Sequence, residues 1–178
     1  MNINLKQLGL SEYVGSENGR KAFLKIVQLI DEHDQEQVFC ISLENIELID
    51  ASFFKASLLA LVSLYVKKKF FYVTNIQNND VLLNLKCIAA HNETLVVFSD
   101  PTNKIQWIGK ELTDHTLSLL QFIYTQNEVS SASLAKHFGI SVPNASMKLK
   151  KLFNQGYIIG SKQDSLTGGH EYIYKPII

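Results

Sequence analysis

The segment SSASLAKHFGISVPNASMKLKKLFNQGYIIGSK, Ser130 to Lys162, holds five lysines and no acidic side chain in 33 residues. The lysines are Lys136, Lys148, Lys150, Lys151 and Lys162, with His137 beside the first. The residue order predicts helix, tight turn, helix and strand. Ser131 or Ser133 opens the first helix, which carries Leu134, Ala135 and Phe138 on its apolar side. Gly139-Ile140-Ser141 makes the turn, because glycine readily takes the left-handed conformation that a helix end needs. Pro143 stands in the first turn of the second helix, where its missing N–H costs nothing, and the helix ends before Gly156. Its buried stripe is expected at Ala145, Leu149 and Leu152, leaving Asn144, Met147, Lys148 and Lys151 nearer the outside. A basic second helix after a short turn is a shape that fits the major groove of DNA.

Downstream, Tyr157–Gly160 and Glu171–Lys175 read as two strands joined by a loop containing Gly168-Gly169. Upstream, Thr113 or Asp114 caps a helix with Leu117, Leu120, Phe122, Ile123 and Tyr124 on its apolar side. Three helices and a hairpin predict an α+β winged helix-turn-helix domain over residues 104–178.

Residues 1–103 alternate between the two periodicities. Ala22, Phe23, Ile26, Val27, Leu29 and Ile30 recur at helical spacing and predict a helix ending near His33. Gln37–Leu43, Phe70–Val73 and Thr94–Phe98 are short β-branched and aromatic runs that predict buried strands. Asp50-Ala51-Ser52 opens a helix from Phe53 to about Lys67, and Asp80–Ala89 gives another. Strands separated by helices predict an α/β domain with a mostly parallel sheet. The breaker cluster Ser99-Asp100-Pro101-Thr102-Asn103 is the natural end of that domain.

The whole chain has 178 residues, 46% of them hydrophobic, with 17 basic and 17 acidic side chains. That neutrality excludes a protein that coats nucleic acid through its entire surface. The charge is unevenly spread: residues 1–107 balance to −2 and residues 108–178 to +2. Cys40 and Cys87 lack any metal or redox spacing, and each lies in an apolar segment, where a buried thiol acts as a small hydrophobe. The N-terminal residues lack the apolar core of a signal peptide. The longest apolar run, Leu58–Val66, is far short of a membrane span. A cytoplasmic protein with no membrane association is the expectation. His33, His91, His115, His137 and His170 have no mutual spacing that makes a metal site. No phosphate-cradling glycine loop, carboxylate pair or nucleophile–base motif occurs, so neither enzymatic activity nor a cofactor is expected.

Two resemblances add to this reading. Leu134-Ala135-Lys136-His137-Phe138-Gly139-Ile140-Ser141, with Leu149-Lys150-Lys151-Leu152-Phe153-Asn154-Gln155-Gly156-Tyr157-Ile158, resembles the winged helix-turn-helix domains of MarR-like bacterial transcription regulators. The resemblance implies that the second helix of the pair reads DNA and that the hairpin touches flanking phosphates. Phe39-Cys40-Ile41-Ser42-Leu43, Ile46-Glu47-Leu48-Ile49-Asp50-Ala51-Ser52-Phe53 and Val73-Thr74-Asn75-Ile76 resemble the STAS fold of anti-sigma-factor antagonists, and more closely the STAS-like domains found beside helix-turn-helix domains. In the antagonists an Asp-Ser-Ser-Gly junction carries a phosphorylated second serine. Ser52 falls on that serine and Asp50 on the aspartate, while Ala51 and Phe53 depart from the motif.

These observations give a set of expected contacts. Lys148, Lys150, Lys151 and Lys162 would neutralise phosphates of double-stranded DNA. Asn144 and Met147 would reach base edges, asparagine being suited to adenine. Ser141 completes the expected DNA contacts, His170 after the glycine pair is either a phosphate contact or a solvent-exposed turn residue, and Ser52 is either a phosphosite or, like Asp50, a helix cap. Lys67-Lys68-Lys69 reads as a solvated face. The chain's one arginine, Arg20, lies outside the basic window. Modest sequence specificity follows, because no arginine is present there to read guanine. The expected assembly is a DNA-binding regulator whose N-terminal domain supplies a homodimer contact or binds a protein partner. The other readings are a protein-interaction adaptor without DNA binding and a phosphoswitched antagonist.

Overall fold

The computed structural model describes residues 1–164 and 170–178, and the chain divides into two units, Met1–Glu111 and Leu112–Ile178. The first unit runs β1 (Asn2–Asn4), a 3-10 turn (Leu5–Leu8), α1 (Gly15–Glu32) and β2 (Val38–Ser42). A helical segment follows as α2 (Ala51–Phe54), a π turn (Lys55–Leu59) and α3 (Ala60–Leu64). It closes with β3 (Phe70–Thr74), α4 (Asn79–His91), β4 (Leu95–Ser99) and β5 (Ile105–Gly109). The sheet order is β1-β2-β3-β4-β5. The first three pairings are parallel and β4 with β5 is antiparallel. This is an α/β architecture with a mostly parallel sheet. β2 and β4 are apolar along nearly their whole length because both of their faces are covered. Phe39, Ile41, Phe53, Phe54, Ile26, Ile30 and Leu61 are all essentially inaccessible in this core.

Two strands of the first unit, like β6 (Val129–Ser130) of the second, have no counterpart in the sequence reading. β1 offers a single apolar residue, Ile3, and pairs along the edge of β2. β5 lies beyond the breaker cluster that was expected to end the domain at Asn103. That cluster is instead a hairpin turn. The Asp100 carboxylate accepts the Thr102 hydroxyl at 2.6 Å, the Thr102 N–H at 2.8 Å and the Lys104 N–H at 3.0 Å. The Thr102 hydroxyl is the main reason the Asp100 carboxyl is held below its ordinary pKa. The chain then returns as β5 along β4, from Ile105 opposite Ser99 to Gly109 opposite Leu95. Turn chemistry and linker chemistry use the same residues, so the unit ends at Glu111 rather than at Asn103.

The start of α2 is set by Asp50, which stands in extended conformation and accepts the Phe53 N–H at 2.7 Å. Its other carboxylate oxygen accepts the Gly15 N–H at 2.9 Å, in the first turn of α1. One carboxylate thus serves the first turns of two helices, where unpaired N–H groups favour negative charge. The helices then meet closely. A Cβ on Gly19 would lie 2.6 Å from the Phe53 carbonyl oxygen and 2.9 Å from Ala56 Cβ. Ser57, buried at the π turn, donates its hydroxyl to that same carbonyl at 2.7 Å. Lys69 is not a solvated lysine: its ammonium bonds the Asp34 carboxylate at 3.2 Å and the Glu36 carbonyl at 2.9 Å.

The second unit comprises α5 (Asp114–Gln126), β6 (Val129–Ser130), α6 (Ser131–Phe138), α7 (Val142–Asn154), β7 (Ile159–Asp164) and β8 (His170–Lys175). Its antiparallel sheet has the order β6-β8-β7. Leu119, Leu120, Ile123, Leu134, Ala145, Leu149, Leu152 and Ile158 are buried. Thr113 caps α5 through the Thr116 N–H at 3.3 Å. α6 starts at Ser131, the first of the two expected positions, and its cap is the preceding Ser130: Ser130 and Ser133 exchange side-chain-to-backbone bonds at 3.1 and 3.0 Å. Gly139 ends α6 with φ +63°, as the expected turn requires. Both strands of the hairpin differ from the expected ranges, and the glycine pair Gly168-Gly169, with Ser165, lies outside the described residues. Among the described residues no helix is long and apolar enough to cross a membrane.

Candidate nucleic-acid interface

α7 is a surface helix whose one apolar stripe is Ala145, Leu149 and Leu152, buried to 0%, 0% and 3% exposure. Spacings of three and four residues place them on one side of the helix. Three other sides remain, and the expected contact residues are distributed among them. Met147 is 67% exposed, and Lys150 and Lys151, three and four residues later, are exposed with it. Ser141, the residue preceding α7, is exposed and its side chain makes no capping bond.

Lys148 and Asn144 occupy a second, half-buried flank. The Lys148 ammonium nitrogen lies 2.8 Å from Nε2 of His115 in the first turn of α5. An ammonium can only donate, so the ring nitrogen accepts in this contact. Behind His115 the His137 ring stacks on Phe122 with centroids 4.0 Å apart, and Phe138 meets Phe122 edge-on at 5.6 Å. This flank is a packed junction of α5, α6 and α7. Sequence spacing had grouped Lys148 with Lys151, but tertiary packing separates them.

The third flank faces β8 across a groove of about 470 Å³. Ser146, Lys150 and Asn154 line it from α7, Ser131 from α6, and His170 and Tyr172 from β8. Along the hairpin, residues alternate between faces, and Lys162 sits directly opposite Tyr172, with Gly160 opposite Tyr174. Tyr172 and Tyr174 stack with centroids 6.1 Å apart, and Phe153 meets Tyr174 edge-on at 6.4 Å. Gly160 makes room for those rings, since an added Cβ would lie 3.1 Å from both Phe153 and Tyr174. Burial pushes the Tyr174 phenol above its ordinary pKa, whereas Tyr172 is 51% exposed at the rim. Tyr172, Phe153, Ser146 and Asn154 were absent from the sequence-derived contacts. Alternation in His170-Glu171-Tyr172-Ile173-Tyr174-Lys175 is the signal that places two tyrosines on one face.

The electrostatics of the unit follow from pairing. Lys175 is neutralised by Glu128 at 2.6 Å. Among the described residues, Lys136, Lys150, Lys151 and Lys162 have no carboxylate at ion-pair distance. Glu171 is the acidic residue lining the groove. The net result is an outward helix face that carries positive charge, whereas the hairpin sets Lys162 among the acidic residues Asp164 and Glu171 of its own sequence.

In the first unit, Ser52 is exposed as the second residue of α2, and the capping role belongs to Asp50. Cys40 is buried, with its thiol 3.2 Å from the Thr74 hydroxyl, but Cys87 is exposed on α4. No three His, Cys, Asp or Glu side chains among the described residues converge on a metal-sized site.

No protein-family model matches the chain, and no curated protein matches it. Among solved structures it is similar to a possible transcriptional regulator from Methanosarcina mazei Go1, with 25% identity and a TM-score of 0.33. That match covers 36% of this chain and 56% of the other, so the chain spans little more than half of that protein's length.

Proposed function

We propose that this chain is a DNA-binding transcriptional regulator. In this reading the second unit is a winged helix-turn-helix similar to those of MarR-like regulators. α7 enters the major groove and the β7–β8 hairpin lies along the adjacent backbone. The observation that carries it is the outward side of α7, where Lys150 and Lys151 stand exposed and, among the described residues, have no carboxylate partner. Lys162 on the hairpin extends that charge past the groove. Ser141, His170 and Asn144 are secondary contacts, and Lys148 is held back by His115.

The first unit, read as a STAS-like domain, supplies homodimerisation or binds a protein partner. A helix-turn-helix protein gains useful affinity by pairing on two half-sites, which makes the homodimer the favoured assembly. Light scattering on the full chain with and without duplex DNA tests it; a monomer in both cases removes the dimer. No catalytic role and no cofactor belong to this reading.

The test of DNA binding is a salt titration of the full chain with mixed-sequence duplex. Affinity is expected to fall steeply as salt rises, and each phosphate-contacting lysine removed lowers the slope by about one. Absence of binding at low salt would overturn the reading in favour of a protein-interaction adaptor. A phosphoswitch at Ser52 is a second reading, favoured by the exposed hydroxyl at a helix start. Asp50 already places a carboxylate on that helix terminus, so added phosphate would meet like charge. Intact-mass analysis of native protein tests for it.

A further inference from the structure

Met147 is the most exposed large apolar side chain among the described residues, at 67%, and the exposed side chains one turn after it are lysines. Its helical neighbours on the outward side are Pro143, four residues before, and Lys150 and Lys151, three and four residues after. Such neighbours have Cβ atoms roughly 5–6 Å apart on a helix surface. An apolar protein partner would be met by a contiguous apolar patch with a polar rim. Here Met147 and the small Pro143 are followed by Lys150, at the edge of the groove, and Lys151, which among the described residues have no carboxylate partner. The complementary surface is therefore anionic, with an apolar point beside its charges.

The major groove of DNA offers that combination. It is about 12 Å wide and is bounded by phosphates, and the C5-methyl group of thymine is its apolar feature. Resting on the DNA-binding reading above, we propose that Met147 is the specificity-determining residue of α7 and that it recognises pyrimidine C5-methyl groups by apolar contact. The geometry assigns the flanking lysines to phosphates and the methionine to the bases between them. No arginine lies in the second unit to read guanine through paired hydrogen bonds. Methyl contact then becomes the main source of discrimination, and sites rich in A·T pairs are preferred.

The test uses the full chain and two duplexes several helical turns long, one of alternating A·T pairs and one with every thymine replaced by uracil. The two differ in the methyl group, and their phosphate charge is the same. Wild-type protein is expected to bind the uracil duplex about three- to fivefold more weakly, the effect of losing one buried methyl. Met147→Gln keeps the side-chain length and helix preference but places a polar amide at the tip. It should abolish the discrimination while leaving the salt slope unchanged, because no charge is altered. Equal wild-type affinity for both duplexes, with salt-dependent binding intact, overturns the methyl assignment and leaves the DNA-binding reading standing. Discrimination that persists in Met147→Gln overturns the assignment to Met147. Absence of salt-dependent binding to either duplex overturns both.

Discussion

The ammonium of Lys148 lies 2.8 Å from the Nε2 of His115, so one of the three lysines of α7 is turned back onto α5. Lys150 and Lys151 share its helix and its local sequence, but among the described residues they have no such partner. The three therefore cannot contribute equally to an anionic ligand. Lys150→Ala and Lys151→Ala should each lower the salt slope of duplex binding by about one. Lys148→Ala should lower it by clearly less. Equal slopes for the three variants would show that the His115 contact does not restrain Lys148 in solution.

Asp50 accepts N–H groups from the first turns of two helices, and its removal leaves both donors without that partner. Asp50→Ala is expected to destabilise the first unit by about 1–3 kcal/mol. Ser52→Ala, altering an exposed hydroxyl two residues on, should stay within about 0.5 kcal/mol. Urea unfolding followed by the fluorescence of Trp107, the chain's single tryptophan and part of β5, reports on the unit concerned. A larger loss for Ser52→Ala than for Asp50→Ala would reverse the assignment of the cap.

Alanine normally improves a helix relative to glycine by up to about 1 kcal/mol. Gly19→Ala should do the opposite, because its Cβ would meet the Phe53 carbonyl oxygen at 2.6 Å. That neighbour is backbone and cannot rotate away. A net loss of about 1–3 kcal/mol is expected, as for other overpacked core positions. A neutral or stabilising result in the same fluorescence assay would mean that α1 can withdraw from α2 without cost.

The two thiols differ in access, since Cys40 is buried beside Thr74 and Cys87 is exposed on α4. An aromatic disulfide reagent should label one thiol rapidly in the folded protein and the second on unfolding. Cys87→Ser should remove the fast phase. Two fast equivalents in the native state would contradict the burial of Cys40.

Much of the fold was legible because it is written in short-range patterns. The apolar runs at Phe39, Phe71 and Val97 become the central strands, and the stripe Ala145, Leu149, Leu152 becomes the buried side of α7. Such patterns persist wherever one element must bury one face. β1 and β5 were not legible. Ile3 alone makes no pattern, and Asp100, Thr102 and Asn103 serve a hairpin as well as they serve a linker. The exposure of Cys87 escaped for the same reason, since its apolar neighbours Val81, Leu85 and Ala89 lie on another side of α4.

Sequence by itself determined the order of the helices and the three central strands, the stripe that α7 buries and the acid-free charge of the segment from Ser130 to Lys162. Spacing along one chain fixes which side of a helix a residue occupies, and charge needs no fold to be counted. Tertiary structure decided which of those charges are available. It set Lys148 against His115, Lys69 against Asp34 and Lys175 against Glu128, while Lys150 and Lys151 stay exposed beside Met147. The physical reason is that a side chain's partner lies across space, often on another element more than thirty residues away. No local pattern encodes which lysine finds one.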